Sequence, residues 1–232
     1  MLSIENLIAS VLQKILPICI FRHIPRFYYT INSVRFKIFP RPSMFKETAK
    51  AKPRRLIEGF FDKYCHGYGV DIGYGGDLLV PGCLGWDIED GDSHYLGKLD
   101  DEQFDFVYSS HLLEHLDNPE LAILNWWRVL KPGGYLILYL PDRDLFEKRK
   151  TLPSKISLDH KHYFLLERDE PPHTIGIIPF LKRNIKNFEI VYAKTCGDNC
   201  ANKVQKLRNS TEYSIEVVVE KIRSRDSHDD QY

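Results

Sequence analysis

The front of the chain lacks an apolar run that approaches the roughly 20 residues a membrane-spanning helix needs; the stretch from Ile15 to Phe21 stops well short. Net charge is also missing, with 32 Lys+Arg set against 32 Asp+Glu, which disfavours bulk attraction to a nucleic acid. Cysteine is scarce: Cys19, Cys65, Cys83, Cys196 and Cys200 are odd in number and scattered. That excludes a disulfide scaffold and points to reduced thiols in a cytosolic setting. Cys196 and Cys200 have no second ligand pair near them, and no metal site is assigned. No internal repeat or low-complexity tract is present, so the 232 residues hold one domain with a substantial core plus an extension.

The zero net charge conceals an asymmetry. Residues 1–60 carry 11 Lys/Arg against 3 Asp/Glu, leaving 21 against 29 for the remainder, so the front is +8 and the body −8. In residues 4–16, Ile4, Leu7, Ile8, Val11, Leu12, Ile15 and Leu16 recur at three- and four-residue steps, which places them on one face of a helix that Pro17 interrupts. With Arg22, Arg26, Arg35, Lys37 and Arg41 following, residues 1–45 suit peripheral contact with a membrane surface. Covering a patch of the chain's own acidic body, or a dimer partner, fits as well. The expected organisation is a basic extension over 1–55, the main domain over 56–222 and a disordered tail over 223–232.

A helix burying Leu56, Ile57, Phe60 and Phe61 is expected to lead the main domain. The run Gly69-Val-Asp-Ile-Gly-Tyr-Gly-Gly-Asp77 follows. It reads as a short strand and a tight turn, where Gly73, Gly75 and Gly76 can adopt angles closed to other residues and let an anionic group meet free N–H groups. Leu78 to Val80 reads as an abbreviated helix, and Cys83–Trp86 and Phe104–Tyr108 as strands. Asn118 to Leu130 carries the clearest helix signals: Asn118 caps, Pro119 opens, Glu120 favours the positive end, and Pro132-Gly133-Gly134 closes. Leu121, Leu124, Trp127 and Leu130 form its stripe. Tyr135 to Leu140 is a strand buried on both faces, and Phe188–Ala193 with Tyr213–Glu220 forms a closing hairpin at a sheet edge. Strand, turn and helix in repeated order imply a parallel sheet with helices on both sides.

Four motifs now stand in order: Asp71-Ile-Gly-Tyr-Gly-Gly76; Gly85-Trp-Asp-Ile88; Phe104 to Leu116 with its Ser-Ser-His-Leu-Leu-Glu-His run; and Arg128-Val-Leu-Lys-Pro-Gly-Gly134 before a strand ending Pro141-Asp142. Together they resemble the class I S-adenosylmethionine-dependent methyltransferases of the small-molecule, type 11 kind, over residues 65–142. The resemblance implies an α/β fold: a doubly wound, mostly parallel, seven-stranded Rossmann-like sheet with an antiparallel C-terminal edge strand and an N-terminal helical extension. It implies S-adenosylmethionine as cofactor, with its methionine part against Gly73 and Gly75 and its amino group facing Asp71. Asp87 would take the ribose hydroxyls, Ile88 the adenine face and Asp92 the adenine amino group, with Ser109 at the carboxyl edge of the sheet. Asp77 departs from the family's third glycine, and the short link from Asp87 to Asp92 suggests a reduced helix. Leu78 breaks the Gly-x-Gly-x-x-Gly fingerprint of dinucleotide enzymes. Apart from the resemblance, Asp71 could brace the turn and Asp87 simply end a strand.

Methyl transfer from a sulfonium mainly demands alignment and exclusion of water. A base is needed only where the acceptor must lose a proton. The candidates are His111 after the third strand, Asp142 (with Asp144) after the fourth, and His160 in Asp159-His-Lys-His162. That last cluster reads as a general base, a metal-ligand set or a polar loop, with His160 ahead of His162; His115 reads as structural. The Pro141-Asp-Arg-Asp144 and Asp159-His-Lys-His162 features resemble methyltransferases of bacterial surface polysaccharide synthesis. They imply a hydroxyl of a sugar, glycan or related small molecule as acceptor, with a cytoplasmic, membrane-associated location. A non-catalytic cofactor-binding or scaffold protein of the same fold is the alternative.

Overall fold

A computed structural model of the chain describes residues 47–197 and 212–223. The expected helix at 4–16, the basic segment to residue 45, Cys200 and the tail from 224 lie outside the described residues. Two helices open the described part, α1 (Glu47–Ile57) and α2 (Phe60–Tyr64). The strands β1 (Gly69–Ile72), β2 (Leu84–Trp86) and β3 (Phe104–Ser110) come next, then a 3-10 turn at Leu113–His115 and helix α3 (Pro119–Arg128). β4 (Leu130–Pro141) leads through a wide turn at Arg143–Glu147 to the small strands β5 (Tyr163–Leu165) and β6 (Thr174–Gly176). Helix α4 (Ile177–Asn184), β7 (Phe188–Cys196) and β8 (Ser214–Lys221) complete the domain.

The main sheet has the order β2-β1-β3-β4-β8-β7. The first four strands are mutually parallel, and β8 runs antiparallel to both β4 and β7. Alternation along β4 sends Leu136, Leu138 and Leu140 to one core with Ile123, Trp126 and Phe180, and Ile137 and Tyr139 to another with Ala51 and Phe60. Helices therefore cover both faces, as a continuous apolar strand requires.

The sheet differs from the expected one in two ways. It has six strands among the described residues, and 87–103 forms turns. Side chains of α3 satisfy that segment's backbone where a ladder would have done so. Trp126 Nε1 donates to the Ser93 carbonyl at 2.8 Å, Asn125 Nδ2 to that of His94 at 2.9 Å and Arg128 Nη1 to that of Leu99 at 3.0 Å. Nor does the C-terminal strand sit at the edge: β8 is antiparallel but lies between β4 and β7. Its Ile215, Val217, Val218 and Val219 are fully buried, whereas β7 alternates partly buried and exposed residues as an edge strand does.

Three local expectations are also corrected. Along α3 the buried stripe is Pro119, Ala122, Ile123 and Trp126, and Leu124 is exposed; the indole's bond to Ser93 lets Trp126 enter the core. In α1, Leu56 and Ile57 are exposed while Arg54 and Arg55 are buried. The two guanidiniums enter because acids await them: Arg54 pairs with Glu212 at 2.8 Å and Glu216 at 2.6 Å, and Arg55 with Glu216 at 2.6 Å. These two basic residues of the front segment thus meet acids of the same chain. Finally, 78–80 forms no helix, with bends at 79 and 80. Among the described residues no helix is long and apolar enough to cross a membrane.

Candidate functional site

Because β2, β1, β3 and β4 are parallel, their carboxyl ends share one sheet edge, and the chain reverses direction of travel between β1 and β3. Ligands of open α/β sheets bind in the crevice at such a switch point. Four of the singled-out positions arrive there: Gly73 after β1, Asp87 after β2, His111 after β3 and Asp142 after β4.

The glycine turn is left-handed at Gly73 (φ 74°), Gly75 (φ 55°) and Gly76 (φ 80°), a region that side-chain-bearing residues enter at a cost. A Cβ on Gly73 would press on Leu112 at 2.9 Å, whereas at Gly75 it would meet nothing within 4 Å, so there is space beside that Cα. Gly75 donates its N–H to Asp87 Oδ2 at 3.1 Å, and Ile88 donates to Asp87 Oδ1 at 2.8 Å. An ionised carboxylate has about four acceptor sites, so Asp87 keeps capacity for two hydroxyls while the turn holds it in place. Ile88 beside it is exposed. Asp71 is buried; its Oδ2 accepts the Leu79 N–H at 2.8 Å, and Oδ1 has no hydrogen-bond partner among the described residues. Burial pushes its carboxyl up to about 7. A buried acceptor without a donor, beside a glycine turn with space at Gly75 and a held carboxylate, fits the amino and ribose groups of S-adenosylmethionine. Asp92 Oδ1 accepts both the amide and the ring Nδ1 of His94 at 2.8 Å. Burial opposes its ionisation, but His94 outweighs that and holds it below the usual range.

Beyond β3 the chain makes a second polar centre. His111 takes a left-handed conformation (φ 48°), strained for a non-glycine. It is held by its N–H on the Tyr139 carbonyl at 2.8 Å and by Nε2 against Ser214 Oγ at 2.9 Å. Burial, and then the neighbouring His160, His115 and Lys50, press its pKa well below normal, leaving the ring neutral. Glu114 is fully buried, and neither carboxylate oxygen has a hydrogen-bond partner among the described residues. Burial raises its pKa against the pull of His115 and His160. Its backbone carbonyl accepts the amides of Lys161 at 2.7 Å and His162 at 3.3 Å. That clamp brings the distant Asp159–His162 loop onto the 3-10 turn. His160 Nδ1 then lies 2.7 Å from Glu147 Oε1, and His115 Nδ1 lies 3.1 Å from Asp159 Oδ2. Burial works to lower the His115 pKa, but Asp159 and Glu114 together raise it.

The remaining positions hold the frame. Ser109 donates to the Ile72 carbonyl at 3.1 Å, tying β3 to β1. Asp142 Oδ1 accepts the amides of Asp144 and Leu145 at 2.8 and 3.0 Å, capping the turn after β4. His162 Nε2 rests on the Leu116 carbonyl at 3.1 Å. Sequence reasoning singled out neither Glu114 nor Glu147. The spacing His111-x-x-Glu114-His115, with residues three and four apart on one face of a helical turn, was the readable signal for the first. Nothing local marks Glu147, which is brought in by the turn that Asp142 caps.

Residues 60–138 match the model of a family described as a methyltransferase domain. The matched span runs from α2 into β4 and contains the glycine turn, Asp87, His111, Glu114 and His115. Over that span the chain carries a methyltransferase domain, whose methyl donor is S-adenosylmethionine. A search of the curated proteins found no match. Among solved structures the chain is similar to a SAM-dependent methyltransferase, possible histamine N-methyltransferase, from Thermotoga maritima: 18% identity, 84% of this chain and 97% of that chain covered, TM-score 0.49. It is also similar to a SAM dependent methyltransferase from Archaeoglobus fulgidus: 18% identity, 82% and 99% covered, TM-score 0.49.

Proposed function

We propose that the protein methylates a hydroxyl of a sugar, glycan or related small molecule, with the cofactor seated between the glycine turn and Asp87 and the acceptor docked against the Glu114 centre. The observation that carries this reading is the meeting of two unlike polar centres at one sheet edge. One is an open glycine turn with a pre-held carboxylate. The other is a buried carboxylate ringed by imidazoles.

The bound cofactor supplies a methyl group on a sulfonium, a good electrophile with a neutral leaving group. Gly73 and Gly75 let the ligand approach the main chain, Asp71 Oδ1 accepts from its amino group, Asp87 accepts from the ribose hydroxyls and Ile88 covers the adenine. Asp92, already engaged by His94, stands at the adenine edge. His111, neutral at physiological pH, has the protonation state a general base needs. Asp142 and Ser109 act by positioning: one shapes the turn after β4, the other locks the ends of β1 and β3 together. His160 faces the same carboxylate as His111 and belongs to the acceptor side.

The test is incubation of the protein with methyl-labelled S-adenosylmethionine and a glycan-rich extract, followed by mass analysis of labelled products. A labelled O-methyl sugar or glycan supports the reading. Labelled nucleic acid, labelled protein, or cofactor binding without any labelled product overturns it.

A further inference from the structure

Glu114 is the unusual member of the acceptor-side centre. A buried carboxylate ordinarily finds two or more hydrogen-bond donors, because leaving it without them is costly. Around Glu114 stand three imidazole nitrogens, all measured to Oε1: His111 Nδ1 at 3.7 Å, His115 Nε2 at 3.7 Å and His160 Nε2 at 3.9 Å. These separations are too long for hydrogen bonds. They exceed by only about half an ångström the spacing between ligands of one small cation, roughly 3.3 Å for bonds of about 2.0–2.1 Å at tetrahedral angles.

The outer nitrogens complete the pattern. Each ring has its other nitrogen held by a separate partner: His111 Nε2 by Ser214 at 2.9 Å, His115 Nδ1 by Asp159 at 3.1 Å, His160 Nδ1 by Glu147 at 2.7 Å. Glu147 is held in turn by the Ser154 hydroxyl at 2.6 Å. Carboxylates behind imidazoles fix the tautomer that directs the second nitrogen inward and raise its basicity, which is the arrangement found around metal-bound histidines.

We propose that Glu114, His115 and His160 bind one divalent transition-metal ion, with His111 as a further ligand or neighbour. The ligating atoms of the first three lie within 4.8 Å of one another. Two imidazoles and one carboxylate suit zinc, manganese or iron(II) better than calcium or magnesium, which favour all-oxygen sites. His111 and His115 are partly exposed, so solvent and an acceptor have a path to the centre. A cation there would lower the pKa of a coordinated hydroxyl. That consequence rests on the function proposed above; the binding itself does not.

The experiment is metal analysis of the purified full chain, then calorimetric titration of chelator-treated protein with zinc and with manganese, and a visible spectrum of the cobalt(II)-loaded protein. The expected result is one ion per chain, a cobalt ligand-field spectrum and a rise in melting temperature on metal addition. Glu114→Gln and His160→Gln should abolish all three. Glu147→Gln, which leaves the ligands in place, should weaken binding about 10–100-fold. Should Glu114→Gln misfold, Glu147→Gln still tests the assignment. Wild type that binds none of the three metals, or variants that bind them as wild type does, would overturn it; Glu114 is then only an internal counter-ion for His115. S-adenosylmethionine binding, measured on the same chelated protein, is expected to persist. Its loss with metal binding intact would strike the cofactor reading and leave the metal site standing.

Discussion

The backbone N–H of Gly75 donates to the carboxylate of Asp87 across 3.1 Å, joining the turn after the first strand to the end of the second. Gly75 is therefore constrained twice, by a left-handed φ of 55° and by a bond that holds the Asp87 carboxylate. Gly75→Ala meets no steric obstacle, and its expected stability cost is that of a left-handed alanine, about 1–2 kcal/mol. Equilibrium unfolding in urea measures it. Cofactor affinity should fall as well, because the substituent occupies the open face of the turn.

Asp71 makes folding depend on pH in an unusual direction. Its carboxyl holds its proton to about 7 in the folded chain, whereas an unfolded aspartate loses it near pH 3.9. Between those values the folded state binds more protons, so stability falls as pH rises. Asp71→Asn retains an acceptor for the Leu79 amide and removes the titration. Melting temperatures measured from pH 4 to pH 8 should decline less steeply for the variant, which should also be the more stable protein at pH 8 and bind cofactor more weakly.

Arg55 and Glu216 are both fully buried and meet at 2.6 Å. Arg54 still reaches Glu216 when Arg55 is removed, but removing Glu216 strands Arg55, so Glu216→Met should cost about 3–5 kcal/mol. Arg55→Met combined with Glu216→Met should recover most of that loss, since Arg54 keeps Glu212 at 2.8 Å. Chemical denaturation of the two single variants and the double variant gives the coupling directly.

The two candidate stripes of α3 make opposite predictions. Leu124→Glu, on the exposed face, should change stability by no more than about 0.5 kcal/mol. Trp126→Ala should cost about 3–5 kcal/mol and free the Ser93 carbonyl. Near-ultraviolet circular dichroism and unfolding curves separate them.

The α3 result shows where sequence was a sufficient guide and where it was not. Cap chemistry placed the helix correctly: Asn118 accepts the Leu121 amide at 2.9 Å as its residue type suggests. The inward face was misread because Leu124 is apolar and exposed, while Trp126 carries a polar nitrogen whose partner, the Ser93 carbonyl, lies in another segment. Arg54 and Arg55 were hidden for the same reason, since their acids lie in 212–216. The β order from β2 to β4 was legible because each strand ends in a turn or cap signal. The turns over 87–103 were visible only as the short link from Asp87 to Asp92. Local pattern put Gly73, Gly75 and Asp87 just after the first two strands, where they stand, whereas the Glu114 centre needed the backbone clamp that brings residues 159–162 to it.

The most direct measurement is calorimetric titration of the folded protein with S-adenosylmethionine and S-adenosylhomocysteine, alongside Asp87→Ala. Saturable binding at one site per chain is predicted, weakened in the variant by about 10–100-fold, as the loss of two charge-assisted hydrogen bonds implies. Folded wild-type protein that takes up neither compound, or an Asp87→Ala variant that binds them unchanged, would contradict the placement of the cofactor between the glycine turn and Asp87.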